Sequence, residues 1–213
     1  MHDTCEHNLI RLRDCYISKL GNPNDITIVE IGSQIVDPGP GKVRTIFDGY
    51  YLIGLDIEKH RGVDIVLSDP YSYPLEDNSV DVVISSSCYE HVELFWLSYL
   101  ESIRILKPSG LFYMNAPSNG HYHGYPTDCW RFYGDAGKAL ETWAHRSNYV
   151  DTVLLESYIC HPRGDLWFDN VVIHLKDKAF IDKFPERIID TFKEMSCSVV
   201  NRGIELPYER NGF

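Results

Sequence analysis

No run of about eighteen apolar residues occurs anywhere in the 213-residue chain, which excludes a conventional membrane-spanning helix. The amino terminus, Met1-His2-Asp3-Thr4-Cys5-Glu6, lacks both the positive segment and the apolar segment of a secretion signal. The cysteines, Cys5, Cys15, Cys88, Cys129, Cys160 and Cys197, contain no C-x-x-C pair and no Cys/His spacing of a structural zinc site. Reduced thiols in a cytosolic protein is the economical reading, so the expected location is cytoplasmic. Basic residues are scarce: 20 Lys and Arg stand against 31 Asp and Glu, a formal charge of −11. Such a chain repels phosphate backbones and anionic lipid, so neither nucleic acid nor membrane is expected as a partner. A nucleic-acid enzyme with a local basic patch stays open as a minor alternative. Repeats, low-complexity segments and Pro/Ser-rich linkers are also absent, so organisation must come from alternating strand and helix signals.

What is present suits one α/β domain with a substantial core. The expected division is residues 1–25 as an N-terminal helix region, 26–176 as the core and 177–213 as a C-terminal helical tail. Leu9, Leu12, Tyr16, Ile17 and Leu20 recur at helical spacing before a breaker at Gly21-Asn22-Pro23. Short apolar runs follow at Ile26 to Ile31, Tyr51 to Leu55, Val63 to Leu67, Val80 to Ser85 and Leu111 to Asn115, most of them ending in small or acidic residues. Glu90 to Leu106 has the length and spacing of a helix, as does Asp135 to Arg146. Val150 to Ile159 and Trp167 to Leu175 read as a closing antiparallel hairpin, and the tail from Ala179 to about Met195 reads as helical. The pattern predicts a Rossmann-like, doubly wound, mostly parallel seven-stranded sheet with helices on both faces. Ligands bind such sheets outside the carboxyl ends of the strands.

Glu30-Ile31-Gly32-Ser33 lies where the first strand meets its loop, and a glycine there lets backbone approach a ligand that a Cβ would obstruct. A lone glycine after a strand also makes an ordinary turn. Asp56 ends the next strand, in Ile53-Gly54-Leu55-Asp56-Ile57, where a carboxylate can accept both hydroxyls of a ribose. The third strand delivers Ser68-Asp69-Pro70-Tyr71, a carboxylate able to accept from an exocyclic amine. Asp69 alone could equally be a turn residue or a helix cap.

Carboxylates at three successive strand ends beside a glycine turn resemble the class I S-adenosylmethionine-dependent methyltransferases, in particular the type 11 methyltransferase domains, over about residues 26–117. Asp69 to Val83, Ser85-Ser86-Ser87-Cys88-Tyr89-Glu90-His91-Val92 and Ile105-Leu106-Lys107-Pro108-Ser109-Gly110-Leu111 carry the likeness. By that resemblance Glu30, Gly32 and Ser33 sit by the methionine part of the cofactor, Asp56 and Ile57 by the ribose, and Asp69 and Pro70 by the adenine. Ser86 completes the floor. The cofactor implied is S-adenosyl-L-methionine, leaving as S-adenosyl-L-homocysteine. Gln34 stands where the family often has a second glycine. The G-x-G-x-x-G spacing that would seat a dinucleotide pyrophosphate is missing, which favours the methyl donor over a nicotinamide. Some family members bind magnesium through Glu-x-x-Glu-His; here Ser87 replaces the first glutamate, so no metal is expected at Glu90 and His91.

The segment Ser118 to Tyr133 combines two histidines, three tyrosines, an aspartate and an arginine in a glycine-punctuated loop leaving the fifth strand. Aromatic faces with hydrogen-bonding tips suit a sugar or a phenol-like acceptor. A self-satisfied polar surface loop would carry the same residues. Asp128-Cys129-Trp130-Arg131-Phe132-Tyr133 looks like a segment of methyltransferases near polysaccharide-synthesis genes, which tilts the acceptor toward a sugar. The candidate proton acceptors are His123, then His121 and His91, with Asp128 orienting a histidine and Tyr122, Tyr125 and Arg131 shaping the acceptor site. The expected activity is methyl transfer to a small polar acceptor, oxygen preferred over nitrogen. A non-catalytic S-adenosylmethionine-binding regulator, a small-molecule N-methyltransferase and a nucleotide-sugar dehydrogenase or epimerase are the rival readings.

Overall fold

The computed structural model describes residues 3–161, 167–191 and 196–201. Its strands, in chain order, are β1 (Thr27–Ile31), β2 (Tyr51–Asp56), β3 (Ile65–Val66), β4 (Val80–Ser86), β5 (Leu106–Pro117), β6 (Val153–His161), β7 (Asp169–Leu175) and β8 (Ser196–Asn201). The helices are α1 (Asp3–Cys15), α2 (Lys42–Ile46), α3 (Phe95–Ile105) and α4 (Ala136–Arg146), with 3-10 turns between them. The sheet runs β3-β2-β1-β4-β5-β7-β6-β8. β3, β2, β1, β4 and β5 pair in parallel, whereas β7 runs antiparallel to β5 and β6 antiparallel to β7. This is the Rossmann-like architecture expected, with one strand more than the seven anticipated, because β8 pairs antiparallel with β6.

Burial on both faces explains why the parallel strands are continuous apolar runs. Ile28, Val82, Ile84, Leu111 and Tyr113 face one layer with Leu9, Leu12 and Tyr16 of the amino-terminal segment. Their neighbours Val29, Val83, Phe112 and Met114 face the other, against Tyr99 and Ile103 of α3 and Leu140 and Ala144 of α4. Alternation of period two along each strand thus serves two cores at once. Among the described residues no helix is long and apolar enough to cross a membrane.

Two expectations about helices need correction. The helix expected from Glu90 splits into a 3-10 turn, Tyr89–His91, and α3, which begins only at Phe95. The carbonyl of Glu90 accepts from the amides of Cys129 and Trp130, and those of Val92 and Glu93 accept from the indole of Trp130. These acceptors are therefore unavailable to a continuing helix. In the tail, Ala179 onward forms 3-10 turns, Lys178–Lys183 and Ile188–Thr191, instead of an α-helix, followed by β8. Pro185 interrupts the run, and the buried Glu156 carboxylate accepts from the amides of Ile188 and Ile189. The part of that expected helix over residues 192–195 lies outside the described residues. Val63 to Leu67 pairs as strand only at Ile65–Val66.

Candidate active site

β1 is flanked by β2 on one side and β4 on the other, so the strand order changes direction between β1 and β4. Register brings the carboxyl ends level: Ile31 pairs with Leu55 on one side and with Ser85 on the other. The next residue on each chain, Gly32, Asp56 and Ser86, therefore emerges at one edge. A cleft of about 930 Å³ opens there, within the range that small-molecule sites occupy.

Gly32 holds a φ of +74°, and a Cβ there would lie 2.5 Å from Cys88 Sγ and 2.7 Å from its Cβ. Only glycine both adopts this conformation at no cost and lets the loop after β4 pass so close. The amides of Gly32 and Ser33 both donate to the Leu55 carbonyl, and the amide of Gln34 donates to Asp56 Oδ2 at 3.0 Å. Gln34 thus does with its backbone what fixes the loop, and its side chain is no obstacle. Asp56 Oδ1 accepts from the Ile57 amide at 2.7 Å, leaving lone pairs on both oxygens for further donors.

Glu30, Gly32, Ser33, Asp56, Ile57, Pro70 and Ser86 all line the cleft. Asp69 does not. Its Oδ1 accepts from the Tyr71 amide at 2.9 Å, an Asx turn that aims Pro70 rather than the carboxylate at the cavity. Burial pushes the Glu30 carboxyl up to about 8, with Asp56 and Asp64 adding to the rise and Arg44 opposing it. By exposed area Glu30 is nonetheless only half-buried, so its carboxyl stays accessible from the cleft. Ser33 Oγ and Ser86 Oγ are buried with no partner among the described residues. Seven carboxyl side chains line the cleft against the two basic ones of Lys42 and Arg44. Such a surface favours a cation, and S-adenosylmethionine carries a sulfonium and an ammonium; a pyrophosphate would be repelled. The unpartnered hydroxyls, the Asp56 lone pairs and the sign of the charge fit that cofactor.

At the cleft's other end the structure assembles groups from two loops. Glu90 is 1% exposed and its Oε2 has no partner among the described residues. Burial holds its carboxyl up to about 8, with Asp169 and Asp128 adding to the rise and Arg131 opposing it. His91 Nε2 lies 3.7 Å from Glu90 Oε1. Burial lowers the His91 pKa, so near pH 7 this contact joins two neutral groups. His91 Nδ1 meets the Thr127 carbonyl at 2.5 Å, and Thr127 Oγ1 donates back to the His91 carbonyl at 2.7 Å. The His91 and His123 rings meet edge to face at 5.0 Å. Asp128 accepts from both Arg131 Nη1 and Nη2, at 2.6 and 2.7 Å, and from the His123 amide at 2.7 Å; its Oδ2 also lies 3.4 Å from His123 Nδ1. The guanidinium holds the Asp128 carboxyl well below the usual carboxylate range.

Of the residues singled out in the loop, His123 and Tyr125 line the cleft together with His91. His121 is exposed and not part of the lining; its ring packs on Trp167 at 5.2 Å and its carbonyl accepts from Arg131. Tyr122 is 74% exposed, and Asp128 and Arg131 stand behind His123 as its support. Trp167, just before β7, also reaches the cleft and packs on His123 at 4.9 Å. Sequence spacing held no signal for it, since it meets the loop only through the hairpin. Glu90 was visible in the sequence only as half of a metal motif, and its burial comes from the chain that crosses it.

Comparison with known proteins agrees with this fold. Residues 38–114 match the family model described as Methyltransferase domain. No curated protein matches the chain. Among solved structures, the chain resembles the Burkholderia thailandensis 1,6-didemethyltoxoflavin-N1-methyltransferase with bound 1,6-didemethyltoxoflavin and S-adenosylhomocysteine, at TM-score 0.57 and 13% identity, over 81% of this chain and 78% of that one. It also resembles a putative sarcosine dimethylglycine methyltransferase from Galdieria sulphuraria, at TM-score 0.56 and 12% identity, over 80% and 86% of the two chains. The cyclase SpnF is similar at TM-score 0.56 and 11% identity, over 81% of each chain. Identities this low establish the fold alone. Residues 38–114 thus resemble a methyltransferase domain, and the sheet shares the fold of S-adenosylmethionine-dependent methyltransferases.

Proposed function

We propose that the chain methylates a hydroxyl oxygen of a small polar acceptor, a sugar or glycan precursor. The observation that carries this reading is the placing of His91, His123, Tyr125 and Glu90 at one end of the same cleft whose other end presents Glu30 and Asp56. When bound, the cofactor supplies a methyl carbon whose bond to sulfur breaks as the bond to oxygen forms, the electron pair staying with sulfur. The chain's own residues must then hold the acceptor in line and take its proton. Neutral His91 points its unprotonated Nε2 into the cluster, because its Nδ1 proton is held by the Thr127 carbonyl. His123 stands beside it, held by Asp128 and Arg131. Tyr125 offers an exposed aromatic face, 53% accessible, against which the apolar face of a sugar ring can stack.

Release of S-adenosylhomocysteine from S-adenosylmethionine, followed against a panel of nucleotide sugars, free sugars, phenols and amines, tests the reading. Turnover with a hydroxyl acceptor, reduced by about a hundredfold or more in His123→Ala with cofactor affinity retained, is the expected result. Turnover restricted to amines would replace oxygen transfer by nitrogen transfer. Cofactor binding with no acceptor consumed would leave a regulator instead of an enzyme.

A further inference from the structure

Glu90, His91 and His123 each offer one ligand atom, and all three atoms lie within 4.8 Å of one another. Bonds of about 2.0–2.2 Å to one ion would place such ligands roughly 3.3 Å apart. Glu90 Oε1 and His91 Nε2, at 3.7 Å, need almost no movement. His123, on the glycine-flanked loop, must draw in by about an ångström to reach those bond lengths.

Three further features point the same way. Glu90 is 1% exposed, yet its Oε2 has no hydrogen-bond partner among the described residues. Each histidine has its Nδ1 next to an acceptor: the Thr127 carbonyl for His91, and the His121 carbonyl at 3.3 Å with Asp128 Oδ2 at 3.4 Å for His123. Holding one ring nitrogen this way leaves Nε2 as the ligand and raises its basicity, the outer-shell arrangement of metal-binding histidines. Arg131 Nη2, 3.3 Å from the same His123 nitrogen, donates to Asp128 Oδ2 and to the His121 carbonyl. Both hydrogens of Nη2 are therefore already given to those oxygens, and none is left to donate to His123 Nδ1.

We infer that Glu90, His91 and His123 form a binding site for a divalent first-row transition-metal ion facing the acceptor end of the cleft. Two imidazoles and one carboxylate suit zinc, manganese, iron or cobalt better than magnesium, which prefers an all-oxygen shell. Three protein ligands leave open positions, as sites that act on a substrate do. The inference rests on the methyltransferase reading for the ion's role but not for its presence. In that role the three side chains would hold an ion that acidifies an acceptor hydroxyl, whose proton would pass to solvent and not to His91 or His123, their Nε2 atoms being taken up as ligands.

The full chain, stripped with chelator, is titrated with Co²⁺ by visible absorption and with Zn²⁺ by calorimetry, no cofactor or acceptor being present. A single saturable equivalent is expected for the wild type and for His7→Ala, an exposed histidine outside the cluster. Weakening by about tenfold or more is expected in Glu90→Gln and, independently, in His123→Ala, whose loop position spares the core. No saturable binding to the wild type, or equal affinity in both variants, would overturn the site. Full turnover by stripped protein would remove the ion's role and leave methyl transfer standing. Saturable binding with no S-adenosylhomocysteine formed from any acceptor would sink the methyltransferase reading and keep the site.

Discussion

Glu30 makes a quantitative test possible, because the same carboxyl weighs on stability and on cofactor binding. An unfolded glutamate ionises near 4.5, whereas Glu30 in the cleft keeps its proton up to about 8. For an acid whose folded pKa is raised, stability is complete below the unfolded value and is lost as pH climbs toward the folded one. At pH 7 the difference corresponds to about 3 kcal/mol. Since the side chain stays accessible from the cleft, about half of that, roughly 1.5 kcal/mol, is the sensible expectation. Glu30→Gln keeps the shape and removes the ionisation, so the free protein should become more stable by that amount at pH 7, by about nothing near pH 4.5, and by slightly more above pH 8. For a chain of this size that is a rise of about 3–6 °C in Tm at pH 7. Urea melts at several pH values read it directly. Cofactor affinity should move the opposite way: the wild type releases a proton when the cationic donor binds at pH 7, detectable as a buffer-dependent calorimetric enthalpy, and the variant releases none. A stability difference that does not change between pH 5 and pH 9 would refute the reasoning.

Other substitutions probe the site separately. Asp56→Asn removes the charge and keeps an oxygen for one of the two amides, Gln34 or Ile57, that bond its separate oxygens, so the fold should persist while cofactor affinity drops by about tenfold or more, measured by calorimetry. Gly32→Ala forces a left-handed alanine whose Cβ meets Cys88, so it should destabilise by about 2–4 kcal/mol in urea melts; a second change, Cys88→Gly, should recover part of that. Asp128→Asn loosens Arg131 and His123 together, and should lower turnover about tenfold or more while leaving the Kd for S-adenosylhomocysteine unchanged.

The gathering of Glu30, Gly32, Asp56 and Ser86 at one cleft was legible in the sequence, and the cluster of Glu90, His91 and His123 only partly so, for a physical reason. Glu30, Gly32, Asp56 and Ser86 sit at strand ends, and in a parallel sheet alternation plus register puts every strand end at one edge, whatever the intervening loops do. Asp69 shows where that logic stops: it follows β3, a strand of only two residues, and the turn beyond it turned the carboxylate onto Tyr71. Local hydrogen bonding won over position. The same competition delayed α3, whose expected first turn lost its carbonyls to Cys129 and Trp130, contacts separated by more than thirty residues that no periodicity encodes.

That competition is also what brings Glu90, His91 and His123 together. By drawing the Glu90 carbonyl to the loop at 129–130, the chain unwinds the segment that an α-helix would have used to carry Glu90 and His91 apart, and lays them beside His123 under one cover. A helix starting at Glu90 would have projected successive side chains about 100° apart around its axis. The 3-10 turn and the extended Val92 that replace it let Glu90 stay buried while His91 faces the cleft. Restoring the helix should therefore separate the groups. Trp130→Ala, which releases the Val92 and Glu93 carbonyls without touching a cluster residue, should weaken Co²⁺ binding and turnover together while cofactor affinity holds; unchanged Co²⁺ affinity would mean that the loop does not hold the cluster in place.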